Sequence, residues 1–222
     1  LSTICFGSDI NFKNNQITGI KKIKIDDIIN AKKLGYRIKL ISETSIINNE
    51  ISCVTEPKLI KMNNPLASVS GVLNAVHIQT DQLENLFLEG EGAGGKATAS
   101  SIISDLYEIF LNSNIPSLGY KISNLKYLEK HDILEIERSY YVRIMTKDIA
   151  GVLATITSHF NESNISIEKI LQVPENIGEN LPIPIIIFTH QIKKKLLIQT
   201  IRKIENLDFV LDKIIIMNID KN

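Results

Sequence analysis

The sequence predicts an α+β protein: a mixed α/β first part, followed by a ferredoxin-like β-α-β-β-α-β second part. Three observations predict it. Before position 92, short apolar runs alternate with polar residues at the period of half-buried strands. A glycine-rich turn at 90–95 then leads into a stretch with apolar residues at helical spacing. From 140 onward, strand and helix periodicities follow one another in the order of two helices laid on one face of an antiparallel sheet.

The opening residues Leu1, Ile4, Cys5 and Phe6 read as the end of a helix, and the chain is expected to be a fragment of a longer one. Residues 26–35 read as a short helix. Asp26 or Asp27 can cap it, Ile28, Ile29 and Ala31 supply an apolar face, and Gly35 can end it in the left-handed conformation. Residues 37–42 alternate at strand period, and further strands are expected at 50–56, 71–79 and 84–89, the last two joined by a polar turn at Thr80-Asp81. A helix follows at about 98–111, with Ile102, Ile103, Leu106, Ile109 and Phe110 on one side. A less regular connector with Asn112, Ser113, Asn114, Pro116 and Gly119 carries the expected domain boundary.

The second part reads more simply. Residues 140–145 form a strand, 152–160 an amphipathic helix, 165–173 a strand and 183–188 a nearly continuous apolar strand. Residues 196–207 form a helix with Leu197, Ile201 and Ile204 inward, and 209–219 a last strand. Pro182 and Pro184 bracket a strand start, where proline costs no ladder hydrogen bond.

Composition narrows the function. Lys+Arg 25 balances Asp+Glu 25, so there is no basic excess to recruit nucleic acid or an anionic membrane. The run Lys193-Lys194-Lys195 reads as a solvated helix face. Cys5 and Cys53 stand far apart with no histidine cluster near them, which argues for reduced, buried thiols and against zinc or a disulfide framework. No apolar stretch reaches the ~18 residues of a membrane span.

Three motifs can carry chemistry. In Gly90-Glu91-Gly92-Ala93-Gly94-Gly95, glycines let backbone approach a ligand, and Thr98 or Ser100 can cap the next helix, whose N–H groups suit an anion. A phosphate or nucleotide contact and a plain strand-to-helix crossover both fit; the context is not that of a Rossmann fingerprint. In the segment 64–76, Pro65, Ala67 and Gly71 suggest a tight path, and Asn74 is a polar residue in an apolar strand, read as satisfying nearby backbone. Asp148-Ile149-Ala150-Gly151-Val152-Leu153 fits either a well-capped helix or a carboxylate seat on helix N–H groups. No metal site is read, and no residue is assigned as catalytic.

Taken together, these stretches resemble homoserine dehydrogenase over essentially the whole chain. The resemblance is carried by Ile4-Cys5-Phe6-Gly7, Asp26-Asp27-Ile28, Leu34-Gly35-Tyr36, the segments at 65–76 and 90–105, and Tyr140-Tyr141-Val142-Arg143 through Gly151-Val152-Leu153 to Thr189-His190. It implies a partial substrate and dimerisation domain at 1–115, its helix at 96–111 returning toward an absent nucleotide-binding domain. A linker at 116–138 and an ACT regulatory domain at 139–222 complete the expected division. The family interconverts aspartate 4-semialdehyde and L-homoserine with NADP or NAD, in threonine and methionine biosynthesis.

The resemblance also implies roles for residues. Gly92, Ala93, Gly94 and Thr98 would approach the cofactor, with Ala97 replacing a proline common in the family. Asp148, Ala150, Gly151, Val152, Leu153, Asn164 and Ile165 would bind a regulatory amino acid, L-threonine as expected effector. The family's Rossmann domain, catalytic lysine and homoserine-binding acidic residues have no counterpart in this sequence. A cytoplasmic homodimer or higher homo-oligomer is implied, inactive as this chain alone. The alternative is a non-catalytic amino-acid-binding and dimerisation protein.

Overall fold

The computed structural model describes residues 1–9, 16–111, 116, 118, 119, 121–172 and 182–220. In chain order its elements are α1 (Ser2–Phe6), β1 (Ser8–Asp9), β2 (Gln16–Ile17), α2 (Ile25–Lys33), β3 (Tyr36–Ile47), β4 (Glu50–Lys61), α3 (Pro65–Ser68), β5 (Leu73–Ile78), β6 (Leu86–Glu91) and α4 (Gly95–Phe110). They continue with β7 (Lys126–Tyr127), β8 (Glu137–Thr146), α5 (Val152–Glu162), β9 (Ile167–Gln172), β10 (Ile183–Thr189), β11 (Ile192–Lys193), α6 (Lys194–Glu205) and β12 (Ile215–Asp220). Residues 112–115, 117 and 120 of the expected connector, Val173 of the expected strand at 165–173, and 221 and 222 lie outside the described residues.

The second part has the predicted topology. Its strands run β12-β8-β10-β9, each pair antiparallel, with α5 and α6 against one face. Tyr140, Val142 and Ile144 alternate toward those helices and meet Val152, Ile156, Phe160, Leu197, Ile201 and Ile204. The sheet does not stop there. β12 also pairs in parallel with β4, at Asn218↔Lys58 through Asp220↔Ile60, so one sheet runs from the first part into the second.

Helix α2 covers the opposite face, over Tyr141, Ile186, Phe188, Ile215, Met217 and Ile219. This explains why β10 is buried along its whole length. Helices lie over both faces, so both alternating sets of side chains leave water. Pro184 sits inside β10, in register with Met145 of β8, without breaking the strand.

β3 and β4 form a hairpin twelve residues long on each side. Asn48 and Asn49, with φ of 51° and 65°, make its two-residue turn, a backbone conformation that asparagine tolerates better than most residues. The far side of β4 is covered in succession by β12, by β2 and by a bridge from Ile51 to Lys130.

Several expectations need correction. Helix α2 turns Asp27, Asn30 and Ala31 inward and leaves Ile28 and Ile29 about half exposed, because a buried arginine on the sheet demands a polar face. Asp27 caps the helix as expected, its Oδ2 accepting from the Lys24 backbone N–H at 2.9 Å. Gly35 follows it with φ 83°, as expected. Cys53 is buried but Cys5 is exposed, since α1 buries only Ser2. The lysine run is not one solvated face: Lys193 and Lys195 reach Glu135, while Lys194 turns inward to Glu56 at 3.3 Å. The last strand begins at Ile215, and the residues before it are held by single contacts such as the Thr146↔Val210 bridge. No helix of the described residues is long and apolar enough to cross a membrane.

Candidate functional site

The glycine turn sits at the end of the β5–β6 hairpin. That hairpin is a separate two-stranded sheet registered from Leu73↔Glu91 to Ile78↔Leu86. The Gly92 N–H donates to the Val72 carbonyl at 2.9 Å and closes the hairpin's open end. A Cβ on Gly92 would fall 1.6 Å from Asn74 Nδ2, so the Asn74 amide lies directly on the turn. Asn74, expected to satisfy nearby backbone, is instead exposed and packs against Gly92.

Gly94 has φ 127° and ψ 144°, a conformation essentially closed to side-chain-bearing residues. It serves as N-cap of α4, which starts at Gly95, three residues earlier than expected. Thr98 therefore lies within the first turn, its N–H donating to the Gly94 carbonyl at 3.0 Å, and neither Thr98 nor Ser100 caps the helix. The first turn holds no acidic side chain and no side-chain cap, so its leading N–H groups remain available to an acceptor. A glycine backbone this open, ending at an uncapped helix start, fits a polar acceptor such as the phosphate or carboxamide of a dinucleotide.

Helix α4 buries none of its residues. Ile102, Ile103, Leu106, Tyr107, Ile109 and Phe110 are all more than half exposed, Phe110 at 83%. A helix of this length has marginal stability in water unless its apolar face is covered.

The second candidate site lies at the start of α5. Gly151 takes φ 89° as its N-cap, and no side chain caps the helix, so the well-capped reading of Asp148 does not hold. Asp148, Ala150 and Gly151 are exposed, Val152 is buried and Leu153 is 37% exposed. Asn164 and Ile165 stand at the other end of α5, roughly 16 Å away at 1.5 Å per residue over its 11 residues. Asn164 has φ 53° and Ile165 is buried. Within one chain the seven residues therefore divide into two groups. The register Gln172↔Ile185↔Ile144 places the end of β9 at the same end of the sheet as the α5 start. Among the described residues β9 is the edge strand at one side of the sheet.

A polar layer that sequence reasoning missed joins the two parts. Asp27 Oδ1 accepts from Arg143 Nε at 2.6 Å and from Tyr141 Oη at 2.8 Å, all three side chains buried. Burial, and then the Asp27 carboxylate beside it, push the Tyr141 hydroxyl well above the usual tyrosine range. Nearby, Glu43 is held in a fork by Arg138 at 3.0 and 3.1 Å and also bonds Lys58. Burial alone would raise the Glu43 carboxyl, but Lys58 and Arg138 outweigh it and bring it to about 2. Glu56 accepts from Asn218 and Lys194.

These features define a two-part α+β protein, a hairpin-and-turn layer built onto a ferredoxin-like module through one shared sheet. Residues 1–107 match the family described as homoserine dehydrogenase. Over 216 residues, 95% of the chain, it is 32% identical to a homoserine dehydrogenase of Neisseria gonorrhoeae, covering 49% of that protein. A homoserine dehydrogenase of Helicobacter pylori is 32% identical over 212 residues, with 96% of the chain and 49% of that protein covered. The crystal structure of a homoserine dehydrogenase from Thiobacillus denitrificans superposes on 99% of this chain and 50% of its own, at a TM-score of 0.85 and 30% identity. The chain thus spans about half the length of the curated relatives it matches.

Proposed function

We propose that this chain is the C-terminal half of a homoserine dehydrogenase, the NAD(P)H-dependent enzyme that interconverts aspartate 4-semialdehyde and L-homoserine in cytoplasmic threonine and methionine biosynthesis. The observation that carries the reading is the open turn at Gly92, Ala93 and Gly94, which leads into an α4 helix whose apolar side is uncovered. In this reading α4 packs against a nucleotide-binding domain outside this chain. The turn then closes the cleft between the two.

The nicotinamide, when bound, supplies or accepts the hydride. Gly92, Ala93 and Gly94 bring backbone to its reactive end without a Cβ in the way. Thr98 and the leading N–H groups of α4 hold its polar groups, and the hairpin keeps water from one side of the cleft. The groups that move protons belong to the remainder of the enzyme.

The ferredoxin-like part acts as an ACT-type sensor for L-threonine. Two copies pairing antiparallel through their β9 edges would bring Asn164 and Ile165 of one to the Asp148, Ala150, Gly151, Val152 and Leu153 end of the other, since β9 ends beside the α5 start. A threonine carboxylate on the uncapped α5 N–H groups then gains contacts from both copies. It regulates only if its affinity differs between two conformations.

The test is complementation. The isolated chain should show no homoserine-dependent reduction of NADP or NAD, and co-expression with a homoserine dehydrogenase nucleotide-binding half should produce it. Turnover by the chain alone, or complemented activity unchanged by Gly92→Val, overturns the reading.

A further inference from the structure

The interface between α2 and the sheet contains more hydrogen-bonding capacity than its own residues use. Arg143 is 1% exposed, and of its guanidinium only Nε has a partner, Asp27. Its Nη1 and Nη2 are buried with none. Asn30, one helical turn beyond Asp27 on the same buried face of α2, is also 1% exposed, and neither its Oδ1 nor its Nδ2 has a partner.

The apolar side chains packed around these groups cannot meet this demand. In register, Arg143 lies between Ile186 and Ile215, and the apolar side chains of the interface include Ala31, Tyr36, Leu59, Phe188, Met217 and Ile219. The Asp212 carboxylate, ion-paired with Lys24, is within electrostatic reach of Arg143 but takes no hydrogen bond from Nη1 or Nη2. Asp27 already accepts from Tyr141, Arg143 and the Lys24 backbone. The unmet groups are donor-rich: both Nη nitrogens and the Asn30 amide nitrogen donate, and only Asn30 Oδ1 accepts. A buried guanidinium edge left dry is costly, whereas a compact acceptor touching two or three of these groups removes the cost.

We propose that the α2–sheet interface holds an internal site for a compact hydrogen-bond acceptor, a water molecule or a halide ion, bound between Arg143 Nη1/Nη2 and the Asn30 amide. The guest completes the polar layer in which Asp27, Tyr141 and Arg143 take part, and it ties α2 to β8. Because the site is walled by apolar side chains, the guest exchanges slowly and belongs to the folded state.

A high-resolution crystal structure of the chain, with a parallel bromide soak read by anomalous scattering, tests this. Either an ordered water or a bromide peak within hydrogen-bond distance of an Arg143 Nη and of Asn30 supports the site, and the two arms separate the sources. A direct Asn30 Oδ1 to Arg143 Nη bond with no third group overturns it. Melting of two variants gives a second readout. Asn30→Leu fills the site with apolar volume and should lower Tm by about 5 °C. Asn30→Ala leaves room for further water and should lower it less. A Tm unchanged or raised in Asn30→Leu, or a larger drop in Asn30→Ala, refutes the proposal.

Discussion

Arg143 of β8 donates from Nε to Oδ1 of Asp27 in α2 at 2.6 Å, across 116 positions of sequence and with both side chains buried. Asp27 falls in the segment that matches the homoserine dehydrogenase family model, and Arg143 in the ferredoxin-like part. The pair therefore joins the two parts through side chains, as the β4–β12 pairing joins them through backbone. Breaking it strands a charge in an apolar interface.

Arg143→Met should thus lower the unfolding free energy by about 3–5 kcal/mol, because Asp27 stays buried without its cation. Combining it with Asp27→Leu should recover part of the loss, since a well-packed apolar replacement of a buried pair is often neutral. Urea unfolding of the four proteins in a double-mutant cycle checks this. A loss below about 1 kcal/mol in Arg143→Met would show that the pair contributes little.

Acid should act through Glu43. Its carboxyl is brought down to about 2 in the folded chain from an ordinary value of 4.5. Its contribution is then fully present above about 4.5 and is lost as pH falls toward about 2, because the unfolded chain takes up the proton first. Between those values the native protein should lose stability faster than Glu43→Gln, measured by urea midpoints at successive pH. Parallel curves would remove Glu43 from the account.

Gly94→Ala should strain the turn by about 1–3 kcal/mol, since φ 127° with ψ 144° excludes a side chain. The strain falls on the β5–β6 hairpin and the start of α4. Amide exchange there should quicken while β8 and β10 keep their protection. Uniform protection across the chain would show that another residue can adopt the turn.

Threonine should raise the Tm of the chain, because a ligand bound only by the folded state stabilises it by about 2.7 kcal/mol at a hundredfold excess over Kd. Gly151→Val should abolish the shift, for Gly151 has φ 89° at the α5 start. If millimolar threonine moves nothing, the sensing role is withdrawn.

The second part was legible because its signals are local. Val142 and Ile144, then Ile156 and Phe160, then Leu197, Ile201 and Ile204 each carry the period of their own element, and that period is a property of neighbouring residues. The long β3–β4 hairpin also carries a local mark in the sequence, the Asn48-Asn49 pair at its turn. The start of α4 is not legible locally, because Thr98 resembles a cap while the true N-cap, Gly94, offers no side chain. The grouping of Asp148 to Leu153 with Asn164 and Ile165 could not be read within one chain, because helix α5 holds them apart.

The sequence by itself determined the α+β class, the β-α-β-β-α-β order, the glycine turn and the resemblance to homoserine dehydrogenase, because each rests on residues close together in the chain. Only the tertiary structure decided that Asp27 and Asn30, not Ile28 and Ile29, face inward, that β12 joins β4, and that α4 stands uncovered. Burial of a polar helix face depends on what lies opposite. What lies opposite is Arg143, brought there by strand pairing that no local period records.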